Sequence, residues 1–303
     1  MKYRKNLFNA MIMEADQLIK VMDNVKVLKS LELCKLPQVL KGKKVTIISE
    51  NDAKNCVPQV ALWSVTQSLG GEIMPITFDW HNLTSKKDFG KMISRCYDLV
   101  LVETKHCRDI ITFSEGCEIP VVYCGCGMYQ PLEGLANILT IGEHFGRLSH
   151  LKFGWVGPGC SALNTYMMML PRFGIPISYN CTSNPNFPVQ PICYDKSYTL
   201  SRMHSTNLNN CKTAKEAIKN SDIIATTVHN IQCQQITTEM LEEANDNWIF
   251  LHRLPRGNQE ATPAVFAHER NLVWQSFDNL IYVCVNGPTM EERRKGISAL
   301  SYP

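Results

Sequence analysis

Residues 248–257 read WIFLHRLPRG. Four apolar side chains, Trp248 to Leu251, run into His252 and Arg253, and Leu254-Pro255 then turns the chain away. An apolar run without alternation suits a strand buried on both faces, the condition of a parallel sheet covered by helices. Proline has no N–H for the ladder and holds the residue before it extended, so the strand ends here. Open α/β sheets bind their ligands beyond the carboxyl ends of the strands. His252 and Arg253 therefore stand where chemistry is to be sought.

Eight more segments have strand character: 44–49, 72–77, 98–103, 119–124, 152–157, 176–181, 222–228 and 271–276. Between them lie amphipathic stretches at 58–69, 86–96, 131–147, 161–173, 213–220, 237–244 and 262–269. Ser161, Thr213 with Glu216 three residues on, and Thr262 followed by Pro263 are the expected helix N-caps. Strands alternating with helices predict an α/β protein of two domains, each a parallel sheet flanked by helices. The expected division is 1–130, a bridging helix at 131–151, and 152–303. The C-terminal segment either stays with the second domain or returns to the first. Residues 182–212, rich in Pro, Asn and Ser, are expected to hold little regular structure. No internal repeat is evident.

The chain has 303 residues, enough for two domains of about 150 each. With 45 % hydrophobic and 19 % charged residues and a net charge of +3, it has the composition of an ordinary globular protein. One dense basic run, EERRKG near the end, is interleaved with acids and reads as a solvated helix face, so no nucleic-acid partner is expected. No apolar run approaches the ~20 residues that cross a membrane, and no membrane partner is expected. The first eighteen residues lack a signal-peptide core or cleavage site, which favours the cytoplasm. Thirteen cysteines, an odd number scattered through apolar runs, are expected to be reduced and packed. Cys124 and Cys126 have no second pair or histidines at ligand spacing, so no metal is expected.

After the fifth strand, GPGCSA (157–162) fits G-x-G-x-x-A at a helix start, which could place backbone N–H groups on a phosphate. A dinucleotide site also needs an acid after the next strand, and PISYNCTS offers only Asn180. No nicotinamide or other cofactor is expected. Cys160 precedes the same helix, where a thiol is activated, but no base accompanies it and a packed thiol is the better reading. The YMMML run (166–170) reads as a buried helix face.

The succession LKGKKVTIISE, LGGEIMPI, PLEGLANILTIGEHFGRL, LKFGWVGPG, DIIATTV and WIFLHRLPRGNQEATPAVF resembles the ornithine carbamoyltransferases of the aspartate/ornithine transcarbamylase superfamily. The likeness runs to about residue 280. It implies the Rossmann-like transcarbamylase fold, a carbamoyl-phosphate domain followed by an amino-acid domain, and a homotrimer with active sites between subunits. It also leaves a mitochondrial location open.

The resemblance fails at the residues that carry the family's chemistry. Where the family has S-T-R-T-R, this chain has NDAKNCVPQ (51–59), with Lys54 the only cation. Glu103 stands for a phosphate-side arginine. H-P-x-Q becomes QPLE, so Gln130 and Glu133 replace the groups that hold the carbamoyl moiety. D-G-N-N becomes PGCS (158–161), ending on Ser161. The D-x-W-x-S-M-G segment becomes TVHNIQC, with Thr227 for the aspartate and His229 within it. H-C-L-P becomes HRLP, which keeps His252 and puts Arg253 for the cysteine. E-N-R becomes DNL (278–280).

Carbamoyl phosphate carries roughly two negative charges at neutral pH, and removal of one stabilising donor typically costs ~10²–10³ in rate. This chain lacks several donors and adds two carboxylates. The expectation is a pseudoenzyme kept as a binding or structural protein, with no catalytic residue. The alternative is an active transferase of altered substrate. Arg253 then has three readings: an ion pair with Glu103 or Glu133, a rebuilt anion site, or a solvent-facing side chain. The anion site would take a small carboxylate, phosphate or amino-acid-like ligand on Arg253, Arg256 and His252, joined by His229 or Lys105. A third option is an ordinary carbamoyltransferase that uses unfamiliar residues. The candidate ligand positions are Lys54, Glu103, Gln130, Glu133, Ser161, His229, His252, Arg253 and Arg256.

Overall fold

The structure, a computed structural model, describes residues 7–31, 36–50, 56–181, 189–231 and 234–294. Two compact units emerge: the chain up to Leu135 together with the chain from Leu280, and Ala136–Asn279.

In the first unit, β1 (Leu7–Phe8), β2 (Lys44–Ser49), β3 (Glu72–Thr77), β4 (Leu99–Thr104) and β5 (Val121–Cys126) form a parallel sheet in the order β1-β5-β4-β2-β3. β4 and β5 are buried along their whole length, as the apolar runs Leu99–Val102 and Val121–Cys124 require, and in β4 the burial extends to Glu103 and Thr104. The unit's helices are α1 (Ala15–Lys29), α2 (Cys56–Ser68), α3 (Lys86–Cys96) and α4 (Cys107–Gly116), and α5 (Pro131–Phe145) begins in it. Helices α3 and α4 meet backbone to backbone. A Cβ on Gly116 would lie 1.9 Å from the Lys87 carbonyl oxygen, and one on Gly90 2.5 Å from that of Phe113. Trp80, Phe89 and Phe113 pack edge-on or tilted beside this contact.

The second unit repeats the plan. Strands β6 (Phe153–Val156), β7 (Ile177–Asn180), β8 (Leu208–Asn210), β9 (Ile223–Thr227) and β10 (Ile249–Arg253) form a parallel sheet in the order β10-β9-β6-β7-β8. Its helices are α6 (Ser161–Met169), α7 (Pro191–Met203), α8 (Ala214–Ile218), α9 (Thr238–Leu241) and α10 (Pro263–Ala267), followed by α11 (Val273–Arg294). Val156, Ile218, Ile224, Phe250 and Val265 make one side of its core. Among the described residues no helix is long and apolar enough to cross a membrane.

The α/β architecture matches the sequence reading, and several elements do not. Residues 271–276, expected as a strand, open α11. Asn271 makes one bridge to Phe250, and its side chain then accepts the Val273 N–H, which starts a helix. Within α11, Asn279 is fully buried and donates to Thr140 Oγ1 and Glu143 Oε2 of α5, both at 2.9 Å. Residues 182–212, expected to be irregular, contain α7 and β8. Residues 182–188 lie outside the described residues. Pro191 supplies the first position of α7, where a missing N–H costs nothing. Cysteines also differ from expectation. Cys124 and Cys284 are buried thiols, while Cys107 and Cys126 are joined as a disulfide with Cα atoms 5.6 Å apart.

Candidate functional site

In the second unit, the carboxyl ends of β6, β9 and β10 collect most of the candidate residues. Side chains alternate across a strand, so His252 shares a face of β10 with Phe250, and both pack on Phe266 of α10. Arg253 takes the opposite face. Its Nη1 donates to Ser161 Oγ at 3.3 Å. Ser161 is the first residue of α6, and Cys160, not Ser161 as expected, is the N-cap. Arg253 also lies in register with Thr227 on β9.

His252 Nε2 lies 3.1 Å from Glu260 Oε1, with both side chains completely buried. The Gly257 N–H donates to Oε1 at 2.6 Å and the Gln259 N–H to Oε2 at 3.2 Å. Burial alone would push the Glu260 carboxyl up. The bonds from His252 and the backbone, with the His252 charge, outweigh it and hold the carboxyl at about 2. Donation to that carboxylate places a proton on Nε2 of His252.

His229 belongs to the same cluster. Burial holds its imidazole below the ordinary histidine range. The Glu260 charge opposes that shift and the His252 charge reinforces it. Nδ1 accepts the Ile231 N–H at 3.2 Å, so in the neutral ring the proton sits on Nε2, which is buried without a hydrogen-bond partner. The ring lies against Gly157, whose φ of +143° suits glycine; a Cβ there would meet His229 Cδ2 at 3.2 Å. Arg256 does not join Arg253 in a common grip. It is exposed, with its guanidinium 4.1 Å from the centroid of the Phe266 ring.

The first unit carries Glu103, Gln130 and Glu133 at the ends of β4 and β5. Glu103 is 5 % exposed. The β4–β5 register shifts there: Val102 pairs with Tyr123 and Glu103 with Gly125, so Cys124 is the extra residue. Such bulges re-aim side chains near strand ends. Burial holds the Cys124 thiol well above the ordinary range, with further contributions from Cys284 and Glu103. Gln130 is buried and folds back on the end of β5. Its Nε2 donates to the Cys126 carbonyl at 3.3 Å, and its Oε1 lies 2.4 Å from where a Gly125 Cβ would be. Glu133 sits in the first turn of α5, a favourable place for an acid. Lys54 lies outside the described residues.

Sequence reasoning passed over Glu260, although the acid after HRLPR had been part of the motif that carried the resemblance. It also passed over Gly125 and the Cys107–Cys126 pair, and it took Gly157 only as the first glycine of a phosphate-binding pattern, not as the neighbour of His229. Asn180, the only group available for a dinucleotide ribose, is engaged elsewhere: its side chain bonds the Cys211 carbonyl and accepts from Gln234. Among the described residues, no group of three or more His, Cys, Asp or Glu gathers to hold a metal.

Residues 149–284 match the family described as "Aspartate/ornithine carbamoyltransferase, Asp/Orn binding domain". Over 209 residues the chain is 28 % identical to the mitochondrial ornithine carbamoyltransferase of Aquarana catesbeiana; the match covers 64 % of this chain and 59 % of that protein. Over 269 residues it is 26 % identical to the mitochondrial ornithine transcarbamylase of Pachysolen tannophilus, covering 82 % and 76 %. The crystal structure of a mitochondrial ornithine carbamoyltransferase from Coccidioides immitis superposes with a TM-score of 0.83 at 21 % identity, over 97 % of this chain and 99 % of that one. Two parallel five-stranded sheets built to this plan, and a second domain that the family model matches, make the chain an ornithine carbamoyltransferase-like protein.

Proposed function

We propose that this ornithine carbamoyltransferase-like chain has lost carbamoyl transfer and serves as a binding or structural protein, assembled as a homotrimer. The observation that carries the reading is Glu103, a buried carboxylate at the end of β4 where the resemblance calls for an arginine. Like charges about 5 Å apart repel by ~3 kcal/mol at an effective dielectric of 20. A doubly charged donor approaching Glu103 therefore meets repulsion in place of a stabilising cation. The test is an assay for citrulline and carbamoyl-aspartate together with thermal unfolding in carbamoyl phosphate. No product and no shift in Tm are expected, because a ligand that binds the native state raises Tm. Turnover, or a clear Tm increase, overturns the reading.

A second reading is supported by Arg253, whose guanidinium bonds Ser161 at the start of α6. Such a fork suits a carboxylate or phosphate. It calls for a thermal-shift screen of small carboxylates, phosphates and amino acids. A ligand whose effect disappears in Arg253→Ala establishes this reading over the first.

A further inference from the structure

Cys126 is the last residue of β5 and Cys107 the first of α4, just beyond β4, so both lie at the carboxyl edge of the first unit's sheet. Their Cα separation of 5.6 Å falls within the span a disulfide bridges. The turn that follows is built on Cys126. Its Sγ accepts the Met128 N–H at 3.2 Å, its N–H donates to the Tyr129 carbonyl at 2.7 Å, and its carbonyl accepts from Gln130. The neighbouring Gly127 N–H donates to the Lys105 carbonyl at 3.0 Å, which ties this turn to the chain before Cys107. The Tyr123 hydroxyl reaches both sulfurs, at 2.9 Å to Cys126 and 3.4 Å to Cys107.

The two sulfurs differ in access. Cys126 is 1 % exposed, whereas Cys107 is only partly buried. Cys107 also opens a ten-residue helix whose N-cap, His106, makes no side-chain cap. The positive end of the helix dipole and a nearby hydroxyl both favour a thiolate. Cys124, two residues from Cys126, is instead held as an inert thiol by burial.

We propose that Cys107 and Cys126 form a reversible dithiol–disulfide switch that sets the conformation of residues 126–130. With hydrogen peroxide as oxidant, the Cys107 thiolate attacks one oxygen, giving a sulfenic acid and releasing hydroxide. The Cys126 sulfur then attacks the sulfenic sulfur and forms the S–S bond. The second oxygen leaves as hydroxide, and the two thiol protons complete two waters. An external dithiol reverses the bond by exchange, entering at the more accessible Cys107 sulfur and becoming a disulfide itself. Because Cys126 anchors the turn that carries Gln130, its redox state acts on a candidate ligand position. The switch stands whether or not carbamoyl transfer survives.

The test uses the full chain, treated with hydrogen peroxide and then with dithiothreitol under native conditions. Differential alkylation and peptide mass spectrometry report the bond, and hydrogen exchange reports the amides of 127–130. The expected result is a Cys107–Cys126 cross-link that dithiothreitol reverses, with those amides exchanging severalfold more slowly in the oxidised form. Cys107→Ser is expected to abolish both effects, and Cys126→Ser serves as the second variant. If neither variant folds, the oxidised and reduced wild-type forms decide the matter alone. A cross-link to other cysteines, a bond that resists native reduction, or unchanged exchange across 127–130 overturns the switch.

Discussion

His252 and Glu260, eight residues apart, meet with no side-chain exposure, Nε2 to Oε1 at 3.1 Å. The Glu260 carboxyl, held at about 2 against 4.5 in the unfolded chain, is a stability term. A depressed acid stabilises the fold above its unfolded value and loses that contribution as pH falls through the folded one. At neutral pH the shift corresponds to roughly 3 kcal/mol. Urea unfolding should therefore show wild type losing this increment between about pH 4.5 and 2. Glu260→Gln should be less stable at pH 7, and the gap should close toward about pH 2. A gap that stays constant with pH would show the carboxylate to be irrelevant.

Gly157 and His229 set the next expectation. With φ at +143° and a would-be Cβ 3.1 Å from Thr226 Oγ1 and 3.2 Å from His229 Cδ2, Gly157→Ala combines strain with crowding. It should cost about 1–3 kcal/mol and displace the His229 ring. Imidazole NMR shifts of His229 should change while those of His144, which packs on Phe145 in α5, do not. Unperturbed His229 resonances and unchanged stability would count against this geometry.

Much of this arrangement was legible in the sequence, and the gaps have physical causes. The central strands were readable because burial on both faces demands unbroken apolar runs, as in DLVLVE and WIFLHR. Helix α7 was not, because its most buried positions are Cys193, Ser197 and Ser201, a thiol and two hydroxyls at helical spacing that leave no conspicuous apolar stripe. Residues 271–276 carry β-prone side chains, yet the Asn271 cap and the polar contacts to α5 decide for a helix. Helix α1 does carry a readable stripe (Leu18, Val21, Met22, Val25, Leu28), although the expected elements begin only at residue 44. Among site residues, His252 and Arg253 could be placed by the strand end alone. Glu260 could not, because its partner depends on how the 254–260 loop folds back.

Two glycines in helices should respond to alanine with opposite signs. A Cβ on Gly116 would strike the Lys87 carbonyl, backbone that cannot yield without separating α3 from α4. Gly116→Ala should destabilise by about 3 kcal/mol or more, the upper range of overpacking. A Cβ on Gly142, inside α5, meets only Leu148 side-chain carbons at 3.6 and 3.7 Å. Gly142→Ala should stabilise by about 0.4–1 kcal/mol through the unfolded chain. Chemical denaturation of both variants checks the pair, and equal effects would refute the packing argument.

Both sheets are also clamped by the same device. Asp98, before β4, accepts the Lys44 N–H at 2.9 Å and donates its own N–H to the Lys44 carbonyl at 2.8 Å. Asp222, before β9, does the same with Lys152, at 2.8 and 2.9 Å. The repetition escaped the sequence reading because it consists of one aspartate and one lysine per sheet, too little to register as self-similarity. The two clamps should not be equal in strength. Asp98 is exposed, so water replaces much of what its carboxylate provides, and Asp98→Ala should cost about 1 kcal/mol. Asp222 is partly buried and also accepts from Asn245 Nδ2 at 2.8 Å. Its removal strands two donors at once, so Asp222→Ala should cost about 2–3 kcal/mol. Urea titrations of the two variants decide this, and a larger loss in Asp98→Ala would mean that solvent exposure does not govern the strength of the clamp.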